Sequence, residues 1–331
     1  MRGCMQVKLS GVTAWVVLCV GLAALISPAT AAETVTLRIL SYNINDMPWP
    51  LRRKAKAQMK FIGRDLARRR AKGTAPDIVL LQEAFTNRSR QLVKKAGYPH
   101  VVRGPGRRKT EGNLKRGQNR RRTDMVAAGR GSTPRAYVGS GLYILSKYPV
   151  LQTKYELFGH YCSGNDCLAN KAVLLARVQV PGLRQSLDIV TSHMDANKKK
   201  EASEKKRFRA HQRQTKIVKT FLDTFNGQRS AIFAGDLNVK NSKRYANFVQ
   251  TIGAVNAGEW CLKTPKRCRT GANATADTLW RRTNDQHFIL EGSDFRIVPV
   301  FMERNYDQRV KGKRLSDHLG FEAVYNVTPK R

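Results

Sequence analysis

Polar residues stand at the ends of apolar runs throughout this chain. "SYNIN" carries Asn43, "LLQEAF" Glu83, "TSHMDA" His193 and Asp195, "GDLN" Asp236 and Asn238, "GSDF" Asp294, and "SDHLG" Asp317 and His318. Carboxylates, carboxamides and imidazoles are the groups of metal binding and proton transfer. Singly, each has an ordinary reading: Glu83 as a strand-end charge, Asn43 and Asn238 as turn formers, His193 or His318 as a satisfied structural histidine. As a set at strand ends they can converge on one mouth, where a polar site avoids burying charge in the core.

The elements that would deliver them are short runs rich in Val, Ile and Leu: 35 to 44, 77 to 84, 140 to 146, 171 to 180, 187 to 194, 230 to 238, 294 to 300 and 320 to 327. Their length and β-branched content predict strands. Helical patterns lie between some of them. From Arg52 to Lys72 the apolar Met59, Ile62 and Leu66 share a face, and from Glu201 to Phe225 so do Phe208, Val218, Phe221, Leu222 and Phe225. Interleaved helices, together with strand pairs lacking one, predict an α/β fold with mixed sheets.

The chain of 331 residues suffices for a large core, and its 61 Lys and Arg against 24 Asp and Glu give a formal charge of +37. Such a chain attracts polyanions and anionic surfaces. Arg2, Lys8, the apolar stretch from Gly11 to Ile26 and the small residues Ala29 and Ala31 read as a secretory signal peptide over 1–31, with a short membrane anchor as the rival; 32–331 is then one catalytic domain. Cys162, Cys167, Cys261 and Cys268 remain, an even number suited to disulfides in an oxidising compartment, paired locally as 162 with 167 and 261 with 268; zinc is the weaker alternative. Residues 103–135, with clustered Arg, Gly and Pro, read as a mobile loop with affinity for anions. Sequons begin at Asn87, Asn273 and Asn326.

In their order, the polar motifs resemble the endonuclease/exonuclease/phosphatase superfamily, which includes deoxyribonucleases, apurinic endonucleases, inositol polyphosphate phosphatases and neutral sphingomyelinases. The resemblance runs from Asn43 to His318. It implies a four-layer α/β/β/α sandwich with the site at one end of two facing mixed β-sheets. It also implies roles: Glu83, Asn43 and Asp317 as ligands of Mg²⁺ (or another divalent cation), His318 as general base with Asp294 holding its imidazole, Asn238 and His193 as donors to the phosphoryl oxygens, and Asp236 as the residue that orients water. Asp195 falls where branches differ, and a surface turn is an equal reading.

Within the superfamily, "LFGHYCSGNDCLANKAVLLARV", from Leu157 to Val178, resembles the neutral sphingomyelinase branch, as do "GLYILSKYPV" and "LLQEAF". Lys171 then becomes a phosphate contact; Ala172 departs from the glycine usual there. A secreted, monomeric phospholipase C of sphingomyelinase type is the first expectation. A secreted nuclease is the alternative, because +37 suits a polyanion better than a zwitterionic headgroup. Trp260, Trp280 and Phe288 are interspersed with basic residues instead of forming the apolar tip that would insert into a bilayer. Anionic surfaces are expected to meet the basic loop and helices.

Overall fold

The computed structural model describes residues 33–48, 55–114, 136–198 and 200–330; the expected leader and residues 115–135 of the expected loop lie outside the described residues. In chain order come β1 (Val35–Asp46), α1 (Lys56–Ala71), β2 (Ile78–Ala84), α2 (Asn87–Ala96), β3 (His100–Arg103), β4 (Tyr143–Ser146) and β5 (Val150–Leu157). Next are β6 (Ala172–Val178), β7 (Leu187–Ser192), α3 (Glu204–Phe225), β8 (Ala231–Asp236), α4 (Ser242–Ile252), β9 (Val255–Asn256), α5 (Ala257–Lys263) and β10 (Arg269–Thr270). The chain ends with β11 (Asp285–Leu290), β12 (Phe295–Asn305), β13 (Arg309–Val310), β14 (Lys313–Arg314) and β15 (Gly320–Pro329).

One sheet has the order β10-β12-β15-β1-β2-β4-β3 and the other β5-β6-β7-β8-β11-β9. Alternation along the strands sorts their side chains into layers. Leu37 and Ile39 of β1, Leu80 of β2 and Phe321 of β15 meet Leu174, Ile189, Ile232 and Ile289 of the other sheet in the central core. Leu40, Tyr42, Val79 and Leu81, one residue out of phase, pack outward on Met59, Ile62 and Leu66 of α1 and Leu92 of α2. Val173, Val190, Phe233 and Phe288 do the same against Val218 and Phe221 of α3 and Phe248 of α4. The result is the expected α/β/β/α sandwich. Each fully buried Leu, Ile or Phe contributes about 1.5–3 kcal/mol, so the three apolar layers hold the sheets in register.

Helix ends follow their chemistry. Thr86 caps α2 by accepting from the Arg88 N–H, Asn241 caps α4 by accepting from Lys243 and Arg244, and both helices close on a left-handed glycine, Gly97 and Gly253.

Strand direction places the site. β1 runs parallel to β2, and β7 parallel to β8, so four carboxyl ends point the same way. β15 is antiparallel to β1 and β11 to β8, which brings the amino ends of these two strands to the same mouth.

Candidate active site

Asn43, His193, Asp236 and Asp285 continue the inward-facing rows of β1, β7, β8 and β11 past the core. Glu83 does not fit that rule. Alternation would send it outward with Val79 and Leu81, but its φ of 54° lies in the left-handed region, and its Oε1 instead accepts from Asn43 Nδ2 at 3.1 Å. Asn45 (φ 48°) and Asn238 (φ 54°) share that conformation, and the β1–β2 register breaks between Asn43 and Asp46. Non-glycine residues pay roughly 1–3 kcal/mol for it, a cost borne here around one set of polar groups.

At the centre, Asn43 Nδ2 also donates to Asp236 Oδ2 at 2.8 Å. His193 Nε2 lies 3.4 Å from that oxygen and 3.8 Å from Glu83 Oε1. His318 faces Asp236 from the other side, with Nε2 at 3.8 Å from Oδ2, and pairs through Nδ1 with Asp285 Oδ2 at 2.9 Å. Asp236 Oδ1 and Asp285 Oδ1 are buried with no hydrogen-bond partner among the described residues. Glu83, His193 and Asp236 form one group able to hold a cation, and Asp236, Asp285 and His318 a second.

Burial raises the pKa of Glu83, the Asn43 donor works against that, and Asp236 adds to it. Burial and the nearby Lys171 ammonium lower His193 to about 3, so its imidazole is neutral. Burial opposes the charged form of His318, yet Asp285 and Asp236 outweigh it and lift the pKa to about 11. Asp285 is held below the usual carboxylate range: burial would raise it, and the His318 charge and hydrogen bond prevail.

The segment from Cys162 to Lys171 forms one flank. The disulfides are those expected, Cys162–Cys167 and Cys261–Cys268. Inside the first loop, Asp166 Oδ1 meets Lys171 Nζ at 2.7 Å; Nζ also donates to the Met194 carbonyl at 2.8 Å and lies 3.2 Å from His193 Nε2. Lys171 is therefore buried beside the central groups. Asn238 Nδ2 donates to the same Met194 carbonyl at 2.9 Å. Asp195 is buried, not a surface turn: its carboxylate accepts from the Ser163 N–H and hydroxyl, each at 2.7 Å, and pairs with Arg244 at 3.4 Å. It braces the disulfide loop against α4.

One expectation needs correction. Asp294 does not hold the imidazole of His318. It precedes β12, which pairs antiparallel to β15 with Phe295 opposite Pro329, whereas His318 lies just before Gly320 at the other end of that strand. Some ten residues at about 3.3 Å each separate the two. Asp294 Oδ1 accepts from the Ser230 N–H at 2.6 Å, and Asp285 holds the imidazole instead. Asp317, expected to bind the cation directly or through water, is exposed and accepts from Asn45 Nδ2 at 2.7 Å, beside the three-residue groups. Asn43 turns its amide nitrogen, not its oxygen, toward the carboxylates. The signal for Asp285 was present in "DQHFIL", whose alternation places Asp285, His287 and Ile289 on one face. Its polar residues masked a strand.

Residues 40–318 match the Endonuclease/Exonuclease/phosphatase family, and the chain belongs to it. No curated protein matches it in sequence. Its fold is similar to that of beta toxin from Staphylococcus aureus, at 15% identity and a TM-score of 0.61, covering 87% of this chain and 99% of that one. It is similar to sphingomyelinase C from Streptomyces griseocarneus, at 22% identity and a TM-score of 0.57, covering 88% and 99%. A third similar structure is D. rerio TDP2 complexed with single strand DNA product, at 21% identity and a TM-score of 0.57, with the same coverage.

Proposed function

We propose that this protein is a secreted, divalent-cation-dependent phosphodiesterase that directs water at phosphorus. The observation that carries the reading is the convergence of Glu83, Asn43, His193, Asp236, Asp285 and His318 from two sheets onto one mouth. The donor set fits a hard cation. Glu83 and Asp236 offer carboxylate oxygens, Asp236 Oδ1 lacks a partner among the described residues, and Asn43 adds a third oxygen if its carboxamide turns. When bound, Mg²⁺ supplies charge that offsets the carboxylates and polarises a phosphoryl oxygen.

His318 is the proton acceptor in this reading. In the field of its acids it is an imidazolium, so it works once that field is offset and its proton is lost. Asp285 fixes the tautomer with Nε2 toward the mouth, and Asp236 orients the water between them. The neutral His193 and Asn238 offer N–H donors on the side where negative charge develops, and the buried Lys171, whose Nζ already meets Asp166, the Met194 carbonyl and His193, adds positive charge behind them.

Nucleic acid is the substrate this geometry and charge support best. A net +37 favours a polyanion, and the residues that could have formed an apolar tip do not form one: Phe288 is fully buried on Phe248, Trp260 packs partly buried on the central core, and Trp280 lies under Lys263 and Arg281. A phosphocholine lipid is the second reading, favoured by the likeness of Leu157–Val178 to neutral sphingomyelinases and by the burial of Lys171 beside His193.

Purified protein with Mg²⁺ is expected to cleave DNA, with EDTA abolishing turnover. Phosphocholine release from sphingomyelin vesicles without DNA cleavage would reverse the substrate assignment. Activity surviving in EDTA would overturn the metal.

A further inference from the structure

Beyond the mouth the first sheet continues from β2 through β4 to β3. Because β4 is antiparallel to both neighbours, Arg103 at the end of β3 lies at the mouth, two strand spacings or about 10 Å from β2. Here an open groove of about 400 Å³ is lined by Phe85, Arg90, Arg103, Arg107, Arg108 and Tyr137. Phe85 follows Glu83 closely in the chain, and Arg90 comes from α2.

Its floor is glycine backbone. A Cβ on Gly139 would lie 2.9 Å from the Pro105 carbonyl, so only glycine permits that approach. The floor is tied to the active site, since Asn170, the neighbour of Lys171, donates through Nδ2 to the carbonyls of Gly106 at 3.0 Å and Lys109 at 2.9 Å.

None of the groove's arginines is paired with a carboxylate among the described residues; Arg103 lies over the Tyr143 ring at 5.9 Å. Like charges gathered without counterions repel one another, and an anion removes the penalty. Tyr137 is 71% exposed on the same wall. Guanidinium groups flanking an open aromatic face are what phosphates and unstacked bases require together. A membrane surface offers no base to stack, and a duplex keeps its bases paired.

We propose that this groove is a second phosphate-binding site, a track for single-stranded nucleic acid leading to the mouth; it rests on the nucleic-acid reading above. Binding of fluorescein-labelled dT12 by anisotropy, across NaCl concentrations, compares His318→Ala protein with the same protein also carrying Arg90→Gln, Arg103→Gln, Arg107→Gln and Arg108→Gln. The salt slope is expected to become shallower by about 2–3, near 0.7 per lost phosphate contact, with affinity at least about tenfold weaker. Tyr137→Ala is expected to weaken binding about fivefold or more, and to leave an abasic oligonucleotide unaffected.

Equal slopes and affinities, in variants whose melting temperatures match their parent, would overturn the track. An equal loss on phosphatidylserine vesicles would overturn its assignment to nucleic acid. Hydrolysis of bis(4-nitrophenyl) phosphate by the unsubstituted protein reads the reaction separately. If it fails while groove-dependent binding persists, the hydrolytic reading falls and the track stands.

Discussion

Asp285 and Asp294 are near neighbours in the chain and lie at opposite ends of the sandwich. Asp285→Asn is expected to lower kcat by about 10²–10⁴, since the amide no longer fixes the imidazole of His318 in its working tautomer. Asp294→Asn keeps an oxygen for the Ser230 N–H and is expected to leave kcat within about twofold. Parallel steady-state measurements decide the assignment, and equal losses would refute it. Most central residues were legible because strand-end polar residues of inward phase were visible in "SYNIN", "TSHMDA" and "GDLN". The partner of His318 was not, because a string of letters does not say at which end of a strand an acid will stand. The direction of β12 settles that, and pairing with β15 sets it. Glu83 was found for its motif alone: periodicity points it away from the site, and a left-handed backbone brings it back.

The strands most legible in sequence were β1, β2, β6, β7, β8 and β15, all apolar runs buried over most of their length. β5 and β11 escaped for different physical reasons. β5 is a sheet edge with exposed residues along much of its length. β11 buries Gln286 and His287, whose polar groups are satisfied by partners that only the tertiary fold supplies: Asn256 donates to Gln286, and Tyr325 and the Phe321 carbonyl flank His287. The disulfide loop is an element with a duty. Replacing Cys162 and Cys167 by Ala is expected to cost about 2 kcal/mol in stability for so short a loop. It should also lower kcat/KM about ten- to a hundredfold, because Asp166 and Ser163 would no longer be anchored beside Lys171 and Asp195. Urea unfolding and initial rates measure the two effects, and full activity in the double variant would contradict the second.

Across the whole molecule, buried groups make stability depend on pH in opposing ways. His287 is buried and held at about 3, so its neutral form belongs to the fold and its charged form to the unfolded chain. Its contribution is complete above the unfolded value near 6.5 and is lost as pH falls toward 3. Asp195, raised to about 7 by burial, works in the reverse sense over the same range. The comparison that isolates His287 is protein with and without His287→Gln. The difference in unfolding free energy is expected to shrink by about 2 kcal/mol between pH 6.5 and 5, and an unchanged difference would count against a neutral buried imidazole. The overall architecture was legible through a resemblance of motif order, while composition and periodicity reached only mixed α/β sheets.

The mouth is also a seam. Asn43, Glu83 and His318 arrive with one sheet, and His193, Asp236 and Asp285 with the other, so the contacts Asn43–Asp236 at 2.8 Å and His318–Asp285 at 2.9 Å are measurements across the gap between them. Ile232→Ala, in the middle of the core, is expected to cost about 2–5 kcal/mol in stability and to weaken activation by a divalent cation as well. Metal titrations of activity in that variant would show the active site behaving as a gauge, calibrated in tenths of an ångström, of how closely two apolar surfaces are pressed together.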